Sequence, residues 1–374
     1  MKKSLNIVSL NVPYPANYGG VIDIFYKLKN LSESGIDIYF HTFEYGREHS
    51  DELKKYCKEV YYYKRKTGWI SQLSALPYIV YSRRNKELIE RLQENDYPIL
   101  FEGIHTCYYI ADKRLKNRLK LVRAHNVEHN YYMGLVKNTT RLPLKIYFSL
   151  EALRLQYYER KLKYADYILA ISATEADYFM KHYGSEKVVL ARAFHSNQEV
   201  IITKDYKPYV LYHGDLSTPE NINNVIFLID KVAKKDITIP WVIAGLNPDA
   251  SIYDMAKSAQ NVTIKANLSN EDLTQCLREA LVSILYTGQG VGLKLKLLNA
   301  VYNCHFCLAN ADMLVGSGLE DACVIIPDDA EGLLEKIRYY IKQDFPEETI
   351  EKRKILLNYL VDNKKNAEKI INLL

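Results

Sequence analysis

What most restricts the fold of this chain is an alternation of strand-like and helix-like segments that runs from end to end and restarts near the middle. Residues 5–10, 36–42, 60–63, 99–102, 119–123, 167–171 and 188–191 read as strands, with amphipathic segments between them, including a long one over 144–163. A polar stretch over 196–207 comes next. The pattern then resumes with strand-like residues 209–213, 241–244, 262–264, 282–286, 305–308 and 324–326. At 374 residues the chain exceeds one ordinary core, so two consecutive doubly wound α/β domains are expected, over 1–198 and 206–345. The helical tract 346–374 has too narrow an apolar face to be a domain and is expected to pack across the domain junction. Ligand is expected at the carboxyl ends of the strands, in a central cleft.

A hydrophobic share of 48% with 25% charged residues fits a soluble globular chain. No apolar run reaches the roughly 18 to 20 residues of a membrane span, and the first strand meets a polar loop too soon for a signal peptide, so a cytoplasmic location is expected. The six cysteines are scattered through mostly apolar contexts, as reduced core thiols would be. Cys304-His305-Phe306-Cys307 has no second cysteine pair nearby, and no metal is expected.

Charge is uneven along the chain. Residues 1–200 hold 31 Lys and Arg against 22 Asp and Glu, while the remainder holds 19 against 23, so the two parts carry +9 and −4. The excess gathers in 54–66 and 113–123, where tyrosine and lysine mix. Such a surface suits peripheral contact with an anionic membrane, each basic residue near the headgroups adding about 1 kcal/mol; a solvated tyrosine-rich face is the plainer alternative. Nucleic acid is not expected, because no recognition motif is present.

Three glycines, Gly288, Gly290 and Gly292, follow the apolar strand 282–286 and precede a helical stretch carrying Lys294, Lys296 and Asn299. Glycines admit close backbone approach, the first helical turn offers unpaired N–H donors, and its partial positive charge of about +0.5 adds to the lysines. A nucleotide diphosphate fits that arrangement, although spaced glycines also serve ordinary strand-to-helix turns. No Gly-Lys-Ser/Thr is present after them, so this is not a nucleotide-triphosphatase loop. After the first strand, Pro13-Tyr14-Pro15 leads to Gly19-Gly20 at a helix start, a loop able to touch a phosphate or sugar hydroxyl or to be a plain turn. Arg123-Ala124-His125-Asn126-Val127-Glu128-His129 and Glu102-Gly103-Ile104-His105 put polar groups at adjacent strand ends, which suggests an acceptor pocket. In the second half His213-Gly214-Asp215 ends a strand. Gly214 would let a ligand approach, and Ser217 is expected to cap the next helix.

Taken in order, Pro13 to Gly20, His125-Asn126-Val127-Glu128, Ala165-Asp166-Tyr167 through Ser172, His213-Gly214-Asp215-Leu216 and Gly292 through Ala300 resemble the family 4 glycosyltransferases of the GT-B fold, bacterial saccharide-biosynthesis type, over nearly the whole chain. The resemblance implies two facing Rossmann-like domains, the first binding an acceptor and the second a nucleotide-diphosphate sugar. It also implies transfer with retention, no metal and no cofactor beyond the nucleotide sugar. Carried onto this chain, His125 and Gly20 are the catalytic candidates. Gly19, Gly214, Gly290, Gly292, Lys294, Lys296 and Asn299 are the donor-binding ones, and Glu102, His105 and Glu128 face the acceptor.

The chain departs from the family pattern at charged positions. Two glutamates eight residues apart are replaced by Val291 and Asn299, and an Arg and a Lys by Asp215 and Glu220. Phosphate charge then falls to Lys294, Lys296 and the helix end. Exchanging a ribose-binding carboxylate for Asn299 loses about 1 kcal/mol. The expected activity is transfer of a hexose-type sugar, mannose on guanosine diphosphate being one candidate donor, to a saccharide or lipid-linked acceptor. A non-catalytic GT-B-like subunit that binds a saccharide or a partner, and an epimerase of the same fold, are the alternatives.

Overall fold

The computed structural model describes residues 3–139, 141–288 and 294–374. The chain forms two compact units, one running to Ser196 and completed by Val361–Leu374, the other spanning Asn197–Leu360. The tract after 346 therefore divides: the helix Glu348–Leu360 belongs to the second unit and the helix Asn363–Ile371 to the first.

Among the described residues the first unit is built on seven strands: β1 (Ser4–Ser9), β2 (Asp37–Glu44), β3 (Glu59–Lys64), β4 (Ile99–Glu102), β5 (Lys120–Ala124), β6 (Tyr167–Ala170) and β7 (Val188–Leu190). They lie in the order β3-β2-β1-β4-β5-β6-β7, every pair parallel. Parallel pairing forces crossover helices onto both faces, which is why these strands are apolar on both sides rather than alternating. Two buried clusters result, one containing Val8, Phe101, Val122 and Ile168, the other Ile7, Leu100, Leu121 and Leu169.

The second unit repeats the scheme with β8 (Lys207–Asp215), β9 (Trp241–Leu246), β10 (Val262–Ala266), β11 (Ala280–Leu285), β12 (Phe306–Asn310) and β13 (Val324–Ile326). Their order is β10-β9-β8-β11-β12-β13, again all parallel. Strand order reverses between β1 and β4 in the first sheet and between β8 and β11 in the second. Connections there leave toward opposite faces and open a crevice at the carboxyl edge, where ligands bind in doubly wound folds.

Candidate active site

In the first unit the crevice is flanked by the segments that leave β1, β4 and β5. After β1 the helix Gly19–Glu33 begins with no side-chain cap and no acidic residue in its first turn, leaving its N–H groups to ligand or water. Its buried face holds Val21, Ile24, Leu28 and Leu31, and also Asp23 and Lys27. Lys27 Nζ lies 2.8 Å from Asp23 Oδ2 and 2.8 Å from Glu102 Oε1 at the end of β4. Arg123, on β5, donates to Asp23 through Nη2 at 2.7 Å and Nε at 3.1 Å. The backbone N–H of Phe194 also donates to Asp23, at 2.8 Å. Burial alone would raise both carboxyls; Arg123 and Lys27 hold Asp23 well below its usual value, and Lys27 with His125 lowers Glu102.

His125 stands just past β5. Its Nε2 lies 3.1 Å from Glu102 Oε2, and the carboxylate can only accept, so Nε2 carries a hydrogen, and in the neutral ring Nδ1 presents a lone pair. Glu102 is wholly buried, so it orients His125 from behind. Asp23, Glu102 and His125 have ligand atoms within 4.8 Å of one another, a spacing that a metal ion could use. Lys27 already stands between the two carboxylates as their cation, so the donor set does not fit a metal.

Gly103 has φ +70°, and a Cβ there would lie 2.7 Å from His105 Nδ1, so glycine is required where the chain turns off β4. That ring nitrogen of His105 is enclosed without a hydrogen-bond partner among the described residues. Burial, Arg83 and His125 hold His105 well below its usual value, which makes it a neutral imidazole. Glu128 opens the helix Glu128–Asn138 and is buried, its Oε1 3.4 Å from Asn126 Nδ2. Burial pushes its carboxyl up to about 7, with Glu159 adding to the rise. Gly19, Gly20, Glu102, His105, His125 and Glu128 thus share one sheet edge.

The second unit gathers the donor candidates at β8 and β11. Gly214 of β8 pairs with Gly245 of β9, and a Cβ on Gly245 would lie 2.0 Å from the Gly214 carbonyl oxygen. Bare backbone is required there. Lys294 precedes the helix Leu295–Asn303, which has no side-chain cap and no acid in its first turn. Lys296 Nζ is seated 3.3 Å from the Tyr212 hydroxyl, 3.3 Å from Asn221 Oδ1, and 4.8 Å from the centre of the Tyr212 ring. Burial lowers this lysine to about 8, with Glu220 drawing it partly back. Burial and Lys296 hold His213 down to about 3. Lys294 Nζ lies 3.9 Å from Glu220, whose other oxygen accepts from the Thr287 hydroxyl. Asn299 Oδ1 accepts from Asn197 Nδ2 at 3.1 Å, which leaves one further acceptor position on that oxygen. Gly290 and Gly292 lie outside the described residues.

The structure bears on several further expectations. The cap before the helix Pro219–Phe227 is Thr218, which accepts from Asn221 N, while Ser217 instead donates to Asp215. Cys304 and Cys307 are buried thiols raised by burial, and His305 is occupied by the carbonyls of Ala280 and Thr203. Much of the basic excess in 54–66 and 113–123 is matched within the unit: Lys54, Lys55 and Lys58 pair with Asp51, Glu52 and Asp37, Arg114 pairs with Asp112, and Arg123 is buried. Sequence reading missed Asp23, Lys27, Tyr212 and Asn221. The signal available was two charges four residues apart inside an apolar helical face.

No family model matches the chain. An uncharacterized 44.6 kDa protein of the cps region of Klebsiella pneumoniae is 28% identical over 352 residues, 88% of each chain. Sucrose-phosphate synthase from Thermosynechococcus elongatus superposes with a TM-score of 0.72 at 14% identity, covering 99% of this chain and 98% of that one. Anabaena HepE, solved with UDP and glucose, gives 0.65 at 11% identity over 99% and 98%. The two parallel sheets and these likenesses establish the GT-B fold.

Proposed function

We propose that this GT-B chain is a glycosyltransferase moving a hexose-type sugar from a nucleotide diphosphate to a saccharide or lipid-linked acceptor, with retention of configuration. The observation that carries the reading is Lys296, an ammonium held at the start of an uncapped helix beside the glycine-opened edge of β8 and β9. As the sugar–phosphate bond breaks, negative charge grows on the leaving diphosphate. A cation fixed in advance, together with the helix end, stabilises that charge without reorganisation. The acceptor hydroxyl forms the new bond from the face the diphosphate leaves, and its proton passes to the departing phosphate oxygen, so no carboxylate base is needed. His125 Nδ1 accepts from a sugar hydroxyl, and Glu102 fixes the ring that does so. The imidazole of His105 and the carboxyl of Glu128 supply further acceptor contacts.

A specific observation favours the second reading, a non-catalytic saccharide- or partner-binding subunit. Glu220 stands where the resemblance would place a lysine, and it draws Lys294 into an ion pair. That leaves Lys296 to carry most of the phosphate charge. Calorimetric titration with uridine and guanosine diphosphates, then a donor hydrolysis screen, separates the two. The transferase binds one nucleotide, hydrolyses its sugar slowly in water, and loses about ten- to a hundredfold in affinity on Lys296→Ala. Absence of binding to every nucleotide at saturating concentration sinks the transferase reading and leaves the subunit. UDP is the first nucleotide to try, since HepE was solved with it.

A further inference from the structure

The helix Leu142–Glu159 is apolar on two opposite faces. One faces inward through Ala152, Leu155 and Tyr158. On the other, Leu142, Ile146, Leu150, Leu153 and Tyr157 succeed one another at spacings of four and three residues, and all are between 50% and 70% exposed. That stripe spans about 22 Å of helix. The segment that carries Trp69 and Leu73, 70% and 73% exposed, is tied to this helix where Arg154 donates to the Gln72 carbonyl at 3.3 Å. An exposed apolar stripe of this length, with an exposed tryptophan on a segment tied to the same helix, is unusual for a face meant for water.

Charge around the stripe has one sign. Lys137, Arg141, Lys145, Arg160, Lys161 and Lys163 flank it, and Lys64, Arg65 and Lys66 precede Trp69. Between residues 133 and 164 the only carboxylates are Glu151 and Glu159, and both are buried with partners. Arg160 lies 5.3 Å from the Tyr157 ring centre and Lys163 5.2 Å from that of Tyr164, so cations and tyrosine tips alternate along the rim. A two-fold contact between copies would set these cations against each other, which disfavours a second chain as the occupant.

We propose that this face docks on the headgroup layer of an anionic lipid bilayer, the helix lying parallel to the surface. Leucines, isoleucine and Trp69 enter the acyl boundary while the lysines and arginines meet lipid phosphates. Of the lysine and tyrosine runs that the sequence first suggests, this face takes only Lys64, Arg65 and Lys66; Lys54, Lys55, Lys58 and Arg114 have carboxylate partners within the unit. It also does not depend on the transferase reading, because no nucleotide takes part.

Cosedimentation of the full chain at low salt tests it, with vesicles of equal parts phosphatidylcholine and phosphatidylglycerol against phosphatidylcholine alone. The chain should be retained by the anionic vesicles only. Lys145→Gln/Lys161→Gln/Lys163→Gln should lower partition by about a hundredfold, and Ile146→Gln/Leu150→Gln/Leu153→Gln by about tenfold or more. No retention on anionic vesicles overturns the proposal. So does retention that ignores the apolar substitutions, which would mean charge adsorption alone, and so does a dimer abolished by those substitutions in a chain that binds no lipid. Thermal melts confirm folding of each variant, and if a triple variant melts early, Leu153→Gln and Lys161→Gln repeat the comparison singly. Nucleotide titration is unaffected by either outcome.

Discussion

Replacing Lys296 by methionine should make the protein more stable and less able to bind nucleotide. Burial takes this lysine from its usual 10.5 to about 8. At about 1.4 kcal/mol per tenfold, that is roughly 3 kcal/mol of unfavourable charge burial near neutral pH. Part of the side chain still meets solvent, which reduces the expected gain to about 1 to 2 kcal/mol. Methionine fills similar space, and the groups it abandons keep other partners. Asn221 Oδ1 still accepts from the Tyr212 hydroxyl at 2.9 Å, and the Tyr286 carbonyl from Asn224 Nδ2 at 3.3 Å. No buried acceptor is orphaned. The apparent melting temperature should therefore rise by a few degrees, while diphosphate affinity falls by about ten- to a hundredfold with loss of a charge-assisted contact. The pH dependence comes from the sign of the shift. Below 8 the lysine is charged in folded and unfolded chains alike, and the full penalty stands. Between 8 and 10.5 only the unfolded chain keeps the proton, so wild-type stability rises with pH and the gap to Lys296→Met closes. Melts at pH values on either side of that window, with calorimetry on the same samples, make the comparison. A lower melting temperature together with unchanged nucleotide affinity would refute the reasoning.

Asp23→Asn should cost about 3 to 5 kcal/mol in a urea titration, because Arg123 and Lys27 stay buried with one carboxylate fewer; an unmoved midpoint would contradict it. Asp23 and Glu102 are both held low, so the stability they supply is complete above their ordinary range and fades as acid titrates the folded state. Glu128 behaves oppositely. Raised from 4.5 to about 7, it binds its proton more tightly when folded, so stability falls as pH climbs through that window, and Glu128→Gln should flatten the profile. Gly245→Ala drives a methyl into the Gly214 carbonyl and should cost about 3 kcal/mol or more, read as loss of soluble protein; near wild-type yield and melting would count against the close approach.

All thirteen strands among the described residues are legible in the sequence, because strands buried on both faces appear as short apolar runs bounded by polar turns, and period 2 is not needed to find them. The capping of the helix Ala173–Tyr183 is legible too, from Ser172 three residues before Glu175; the Ser172 hydroxyl accepts from Glu175 N at 3.4 Å. Thr218 is not, since Asp215, Ser217 and Thr218 all suit a cap and only backbone geometry chooses among them. Among the candidate residues, strand-end position suffices to place His125 and His105 at the sheet edge. The Asp23 and Lys27 pair stays hidden because Glu102 lies 75 residues beyond Lys27 and Arg123 lies 100 beyond Asp23, and no local pattern announces a contact made across a sheet. The same applies to Tyr212 and Asn221, which seat Lys296 from 75 residues or more upstream.

The closing helix Asn363–Ile371 inserts Ala367 and Ile370 into the cluster around Ile24 and Leu28, and Asn363 and Asn366 bond the backbone at His195 and Arg192. A ribosome releases the leading sheet long before it releases this helix. The nascent first unit must wait with an apolar groove uncovered while all of Asn197–Leu360 is made, and in that interval it is a natural client for chaperones. Folding of the early unit is thereby tied to completion of the late one, so interrupted synthesis yields a product whose own core advertises the defect.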